Sequence, residues 1–212
     1  GAVINMFVAG GWQSHGEVVI GKNPQVIAQR QKLHSLMFVT GKRDARGLSP
    51  AVNDLVLFFR KPGEGTPVRS LFDATVNPDG WVTTEEWIKW ARGVWDDIRE
   101  TDVLTNWQHG REEGDEKHVC PLQLEVIRRC VKLYSNPGAT VLDPFMGIGS
   151  TAFVAIEQGR NAIGFELKES YHQQAVRACE RSLEIRQAGS RLPLFSAAQM
   201  EQLEPSRFEA LS

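Results

Sequence analysis

Residues 140–166, TVLDPFMGIGSTAFVAIEQGRNAIGFE, constrain the fold of this chain more than any other stretch. Thr140, Val141 and Leu142 form a short apolar run, and Asp143-Pro144 ends it, because proline has no N–H to give a sheet ladder. Gly147 and Gly149 allow a tight turn that brings bare backbone up to a ligand. Residues 150–158 then alternate apolar and polar at helical spacing, and Gly159 stands where a helix stop is expected. Residues 162–165 make the next strand, with Glu166 at its carboxyl end. Strand, glycine turn, helix and strand together are half of a nucleotide-binding α/β unit, whose ligand lies outside the strand ends.

The rest of the 212 residues suits one large domain or one and a half smaller ones. Hydrophobic content of 42% and charged content of 24% exclude a disordered or fibrous chain. No apolar run approaches membrane-spanning length and no signal peptide is visible, so no membrane partner is expected. Cys120, Cys130 and Cys179 are odd in number and widely spaced. They match neither a disulfide framework nor a metal site, which points to a reducing cytosol and no metal. Charge is unevenly spread. Between Gly21 and Arg46 lie Lys22, Arg30, Lys32, Lys42, Arg43 and Arg46 against a single acid, Asp44. Between Asp96 and Glu116 the balance reverses, with eight acids against Arg99 and Arg111.

Taken in order, residues 2–12 read as the end of a buried helix stopped by Gly10-Gly11. Residues 17–20 (EVVI) read as a strand, and residues 54–60 (DLVLFFR) as a strand buried on both faces, being continuously apolar. The basic stretch between them is expected to be an irregular loop with one short helix near residues 24–32, and a loop of that length in a compact domain has work to do. Asn77-Pro78-Asp79-Gly80 spells a turn. Thr83 or Thr84 can cap a helix that places Trp87, Ala91, Val94 and Trp95 on one face, as core rather than as base-stacking residues. Residues 96–117 read as an acidic surface loop. Residues 121–135 form a strong helix with proline in its first turn and an apolar stripe of Leu122, Val126, Ile127, Cys130, Val131 and Tyr134. A last helix over residues 168–186 turns Tyr171, Ala175, Ala178, Cys179 and Leu183 inward, and the tail reads as poorly ordered.

Gly147-Ile148-Gly149-Ser150-Thr151-Ala152 satisfies the GxGxxG/A dinucleotide pattern, and Glu166 has about the spacing of a ribose-binding acid. The residues before the glycines decide the ligand. A pyrophosphate wants a helix N-terminus free of negative charge, whereas Asp143-Pro144-Phe145 puts a carboxylate at the strand end. An acid there suits a ligand with ammonium and sulfonium groups and no phosphate, which is S-adenosylmethionine.

At these residues the chain resembles the amino-group (N6-adenine or N4-cytosine) DNA methyltransferases of the circularly permuted β type. Asp143-Pro144-Phe145-Met146-Gly147-Ile148-Gly149-Ser150-Thr151 matches their DPF-x-G-x-G-[ST]-T cofactor motif. His118-Val119-Cys120-Pro121-Leu122 matches their His-x-x-Pro-Leu segment, and Gly159-Arg160, Gly164-Phe165-Glu166 and Tyr171 match a G-R…I-G-x-E…Y pattern. The EVVI-x-K-x-P and F-R-K-P-G-E segments are most similar to phage and prophage site-specific enzymes. The resemblance implies an α/β, Rossmann-like methyltransferase fold, circularly permuted. It implies that Asp143, Pro144, Phe145, Gly147, Gly149, Ser150 and Thr151 line the methionine end of the S-adenosylmethionine pocket. Glu166 would hold the ribose, and His118, Pro121 and Leu122 would shape the other wall. Lys22, Arg30, Lys32, Lys42, Arg43 and Arg46 would lie near double-stranded DNA, in agreement with the charge argument.

The same family presents the flipped base to a [DNS]-P-P-[YFW] tetrapeptide. No such tetrapeptide occurs here, so no catalytic residue is assigned. By the family's chain order that motif and three central strands would come earlier. The chain is therefore expected to be the C-terminal part of a methyltransferase from a bacterial or phage-infected cell, inactive alone, with the missing N-terminal half as a possible separate partner. The expected divisions are a catalytic-subdomain remnant over residues 1–65, a target-recognition-like region over 66–117, the cofactor subdomain over 118–187 and a tail. Two rivals stand beside this reading: a nicotinamide-dependent oxidoreductase, and a non-catalytic DNA-binding remnant.

Overall fold

The computed structural model describes residues 1–68, 71–77, 81–105 and 121–191. Helix α1 (Ala2–Ala9) leads into strand β1 (Gln13–Ile20), and β1 pairs antiparallel with β2 (Asp54–Arg60), from Gln13 opposite Arg60 to Ile20 opposite Asp54. Gly16 takes up an irregularity in that register. Between the two strands lie α2 (Pro24–Gln31), a 3₁₀ turn (His34–Leu36), α3 (Phe38–Arg43) and a second 3₁₀ turn (Ala45–Gly47). After β2 come α4 (Thr84–Trp90) and the short β3 (Val94–Trp95), which pairs parallel with β1. Helix α5 (Leu124–Tyr134) crosses to a second sheet, in which β4 (Thr140–Asp143) and β5 (Asn161–Gly164) run parallel on either side of α6 (Ser150–Glu157). Helix α7 (Glu169–Arg191) packs on α6.

The two sheets are separate, ordered β2-β1-β3 and β4-β5. Each has its own core. Val18, Ile20, Val82, Trp90, Trp95, Ile98, Val126 and Leu133 form the first. Leu104, Leu124, Ile127, Val131, Ile148, Phe153, Val154 and Ala178 form the second. Helix α5 contributes to both, because residues on its opposite flanks are apolar.

Several sequence expectations need correction. Helix α1 exists but has no fully buried residue; its half-buried Phe7 stacks on Phe59 with ring centroids 4.5 Å apart. The basic stretch is not irregular. It folds around a small core of Ile27, Ala28 and Leu36, helped by an Asn23 side-chain cap on α2. Helix α4 stops at Trp90 and the chain turns at Gly93, whose φ of 71° favours glycine, so Val94 and Trp95 sit in a strand instead of on a helical face. Trp90 and Trp95 are core as expected, while Trp87 is substantially exposed. The start of the acidic region is irregular and mostly exposed as expected, but it is anchored by two buried residues, Ile98 and Leu104. Pro121 and Leu122 precede α5 rather than opening it, and Tyr134 and Leu183 are half exposed. Strand β2 is not covered on both faces: it is an edge strand, and Leu55 is 56% exposed. Pro78, Asp79, Gly80 and the tail beyond residue 191 lie outside the described residues.

Charged side chains of α5 fasten it to its surroundings. Arg129, 1% exposed, donates to Asp97 at 2.7 Å and Glu125 at 3.0 Å, and its guanidinium lies 5.1 Å from the Trp95 ring centroid. Lys132 reaches Glu86, which also completes the Thr83 capping box of α4. Arg128 bridges Asp102 and Glu157. Partial burial opposes the charge on the Asp97 carboxyl. The hydrogen bonds and positive charges of Arg129 and Lys89 outweigh it and hold the pKa at about 2 instead of 3.8. A depressed carboxyl pKa stabilises the fold above the unfolded value, and that contribution drains away as pH falls from 3.8 to about 2. Asp97→Asn should lower the melting temperature at pH 7 and flatten its fall over that acid window, as thermal denaturation across pH will show.

Candidate cofactor-binding site

The glycine turn joins the carboxyl end of β4 to the start of α6. Asp143, last in β4, turns its carboxylate back to accept the Phe145 N–H at 3.0 Å, an Asx-type turn that sets the loop's direction. The Met146 N–H donates to the Phe165 carbonyl at 2.9 Å and the Phe165 N–H to the Asp143 carbonyl at 3.0 Å, extending the β4–β5 ladder into the loop. Gly147 and Gly149 hold φ of 55° and 89°. A Cβ at Gly149 would also stand 2.8 Å from the Cα of Ala175, so α7 closes against the loop only because the side chain is absent.

Glu166 is the centre of the site. One carboxylate oxygen accepts the Gly147 N–H at 2.9 Å and the other accepts the Lys168 N–H at 2.8 Å. The acid is thus fixed by backbone donors on both sides, and each oxygen keeps capacity for a further donor. Around it stand three exposed apolar side chains, Phe145 (89% exposed), Phe165 and Leu167. The Lys168 ammonium lies over the Tyr171 ring, 4.4 Å from its centroid.

The structure brings Asp143, Pro144, Phe145, Gly147, Gly149, Ser150 and Glu166 together at the ends of β4 and β5. Thr151 and Leu122 line a neighbouring apolar groove of about 680 Å³, with Pro121 half-buried beside them. His118 falls outside the described residues. The predicted DNA contacts lie elsewhere, in the folded insertion at the far end of the β1–β2 hairpin. Two of them are already occupied: Lys22 pairs with Asp54 at 2.5 Å and Arg46 forks onto Asp44. Lys32, Lys42 and Arg43 make no ion pair among the described residues. The side chain of Arg30 is not among those described. Sequence reasoning missed the part played by the Lys168 backbone and the apolar rim of Phe165 and Leu167. No spacing signals the first; the second could have been read from F-E-L beside a strand end.

A family model described as DNA methylase, for N6 and N4 methyltransferases, matches residues 39–177. The chain belongs to this DNA methylase family. It is 36% identical to the type II methyltransferase M.BglI of Bacillus subtilis over 54% of this chain and 27% of the relative. It is 31% identical to the DNA adenine methyltransferase YhdJ of Escherichia coli K12 over 58% of this chain and 37% of the relative. The protein TTHA0409 of Thermus thermophilus, solved in complex with S-adenosyl-L-methionine, superimposes with a TM-score of 0.54 at 24% identity. That alignment covers 82% of this chain and 55% of the other. The shared architecture is the Rossmann-like methyltransferase fold. The chain matches 27% and 37% of the length of these curated relatives and just over half of the solved structure. Membership of this family sets aside the nicotinamide reading of the glycine turn.

Gly149 is the position where the site depends most on one residue. Gly149→Ala combines a left-handed backbone with a backbone clash, and it should cost roughly 2–5 kcal/mol. The denaturation midpoint would fall accordingly, whereas the same change at Gly65, around which a Cβ would find open space, should leave it nearly unmoved.

Proposed function

We propose that this chain is the methyl-donor half of an S-adenosylmethionine-dependent DNA amino-methyltransferase acting on adenine N6 or cytosine N4. The observation that carries the reading is the backbone-clamped Glu166 at the end of β5, facing the Asp143 turn. The donor set fits the cofactor. Glu166 offers two anchored oxygens to the ribose hydroxyls, the exposed ring of Phe165 offers an apolar wall for adenine, and Asp143 places negative charge beside Phe145 at the methionine end. The cofactor would supply an electrophilic methyl group; the chain's own residues bind, orient and shield it from water.

The absence of a Pro-Pro-aromatic motif in these residues supports a division of labour. So does the groove. Strand β2 is the free edge of one sheet and β4 the free edge of the other, and both line the same apolar cleft with Val126, Ile127, Cys130 and Val131. Strands with continuously apolar sequences are normally covered on both faces. In this reading central strands bearing the acceptor motif fill that cleft and join the two sheets. The order of the elements, hairpin first and glycine loop later, agrees with the permuted β type. The F-R-K-P-G-E likeness agrees with a phage-like restriction-modification enzyme. Burial pushes the Cys130 thiol up to about 11, so the cysteine in the cleft serves as an apolar filler and not as a nucleophile.

Titration calorimetry should show S-adenosylmethionine binding and no binding of NAD. Glu166→Gln should weaken binding about tenfold or more, since a hydrogen bond to a charged group contributes ~1.5–3 kcal/mol. Incubated with labelled S-adenosylmethionine and duplex DNA, the chain alone should transfer no methyl group. Tight NAD binding would overturn the cofactor assignment, and turnover by this polypeptide alone would overturn the half-site.

A further inference from the structure

Helix α3 has two unlike faces. On one, Gly41 backs onto the Leu48 side chain and Thr40 Oγ1 donates to the His34 carbonyl at 2.6 Å. At about 100° per residue, Phe38, Val39, Lys42 and Arg43 fall on the other arc. Phe38 is 68% exposed and Val39 67%, and neither belongs to the small core beneath them. The Lys42 ammonium stands 5.2 Å from the centre of the Phe38 ring. While Lys22 and Arg46 are neutralised by their own neighbours, Lys42 and Arg43 have no acid at ion-pair distance among the described residues.

A phenyl group held in water beside a cation, on a helix face that carries a second, matches a ligand with an anionic backbone and flat apolar faces. Phosphate contact alone needs only the cations. The geometry points to Phe38, with Val39 beside it, as a wedge that enters the base stack of duplex DNA while Lys42 and Arg43 hold the adjacent phosphates. This rests on the DNA-methylation reading above and adds a positioning residue to it. Apolar wedges of this kind unstack a base step, and an enzyme that extrudes its target base needs such unstacking. An anionic lipid surface would attract the same side chains, but a six-residue helix with two apolar residues offers little area to bury in an interface.

The test uses fluorescence anisotropy with two labelled duplexes of one sequence, one intact and one with a single abasic nucleotide. The abasic duplex has already lost the stacking that the wedge must break, so the chain should bind it about tenfold more tightly. Phe38→Ala should bring the two affinities within about twofold while leaving the salt dependence unchanged. Lys42→Ala and Arg43→Ala should each lower the slope of log affinity against log salt by about one and keep the abasic preference. Phe38 is exposed, so circular dichroism of Phe38→Ala should match the parent. A wild-type chain with no abasic preference, a Phe38→Ala chain that keeps it, or binding to phosphatidylserine vesicles with none to either duplex would each overturn the wedge. Titration of the same preparation with S-adenosylmethionine separates the two ideas. Cofactor binding without abasic preference removes the wedge and leaves the donor half, whereas loss of cofactor binding removes the donor half itself.

Discussion

Everything in this chain hangs on α5 being apolar on two flanks and charged between them. Val126 and Leu133 enter one core, while Leu124, Ile127 and Val131 enter the other. Each fully buried side chain of this kind contributes about 1.5–3 kcal/mol. Among the described residues no strand pairing joins the two sheets, so this shared helix fixes the glycine loop relative to the hairpin. Packing alone would let a cylinder roll. Arg128, Arg129 and Lys132 prevent rolling by reaching Glu157 on α6, Asp97 after β3 and Glu86 on α4. Exposed pairs of this sort contribute little. Arg129 differs because its guanidinium is buried against Trp90 and Trp95, where loss of either acid would strand a charge.

The cofactor loop follows a different logic. Its conformation is held by backbone donors and two carboxylates, Asp143 and Glu166, together with the burial of Ile148 in the second core. Glu166 does two jobs with one group: it ties Gly147 to Lys168 across the strand ends and still presents lone pairs outward. A ligand hydroxyl can therefore be accepted without rebuilding the loop, and little ordering entropy is lost on binding. Arg160 lends support from behind, buried and donating to the Ser135 carbonyl and the Gln158 carbonyl. The G-R pair of the resemblance thus acts as a structural clamp at the ends of α5 and α6.

Local chemistry explains what was legible in the sequence. The unit over residues 140–166 is set by turn residues and strand-end punctuation within a few positions, so its strands, its helix and its acid were all readable. The hairpin partners and the capping box at Thr83 were readable for the same reason. Non-local packing was not. Val94 and Trp95 suit a helical face by spacing, yet Gly93 and the vacant edge of β1 take them into a sheet. Ile98 and Leu104 lie in an acidic run, and only the folded core shows that they are drawn inward while the acids pair with α5. For the insertion, composition announced the charge but hid the three-residue core that gives it shape. It also hid that Asp54 and Asp44 cancel two of the six cations.

The contrast between the two halves of the molecule bears most directly on function. The loop at β4 and β5 is braced from within this chain: Asp143 accepts from Phe145, and Glu166 accepts from Gly147 and Lys168. The cleft between β2 and β4 is the opposite, with two strand edges unpaired among the described residues and an apolar floor supplied by α5. Open edges of this kind invite pairing and are normally blunted by charge, proline or a bulge. Here the facing segments are Asp54-Leu55-Val56-Leu57 and Thr140-Val141, in which Asp54 is the one charged residue. In the reading proposed above, strands of apolar character occupy this surface. On that same reading, donor binding needs only this chain, while methyl transfer needs the filled cleft.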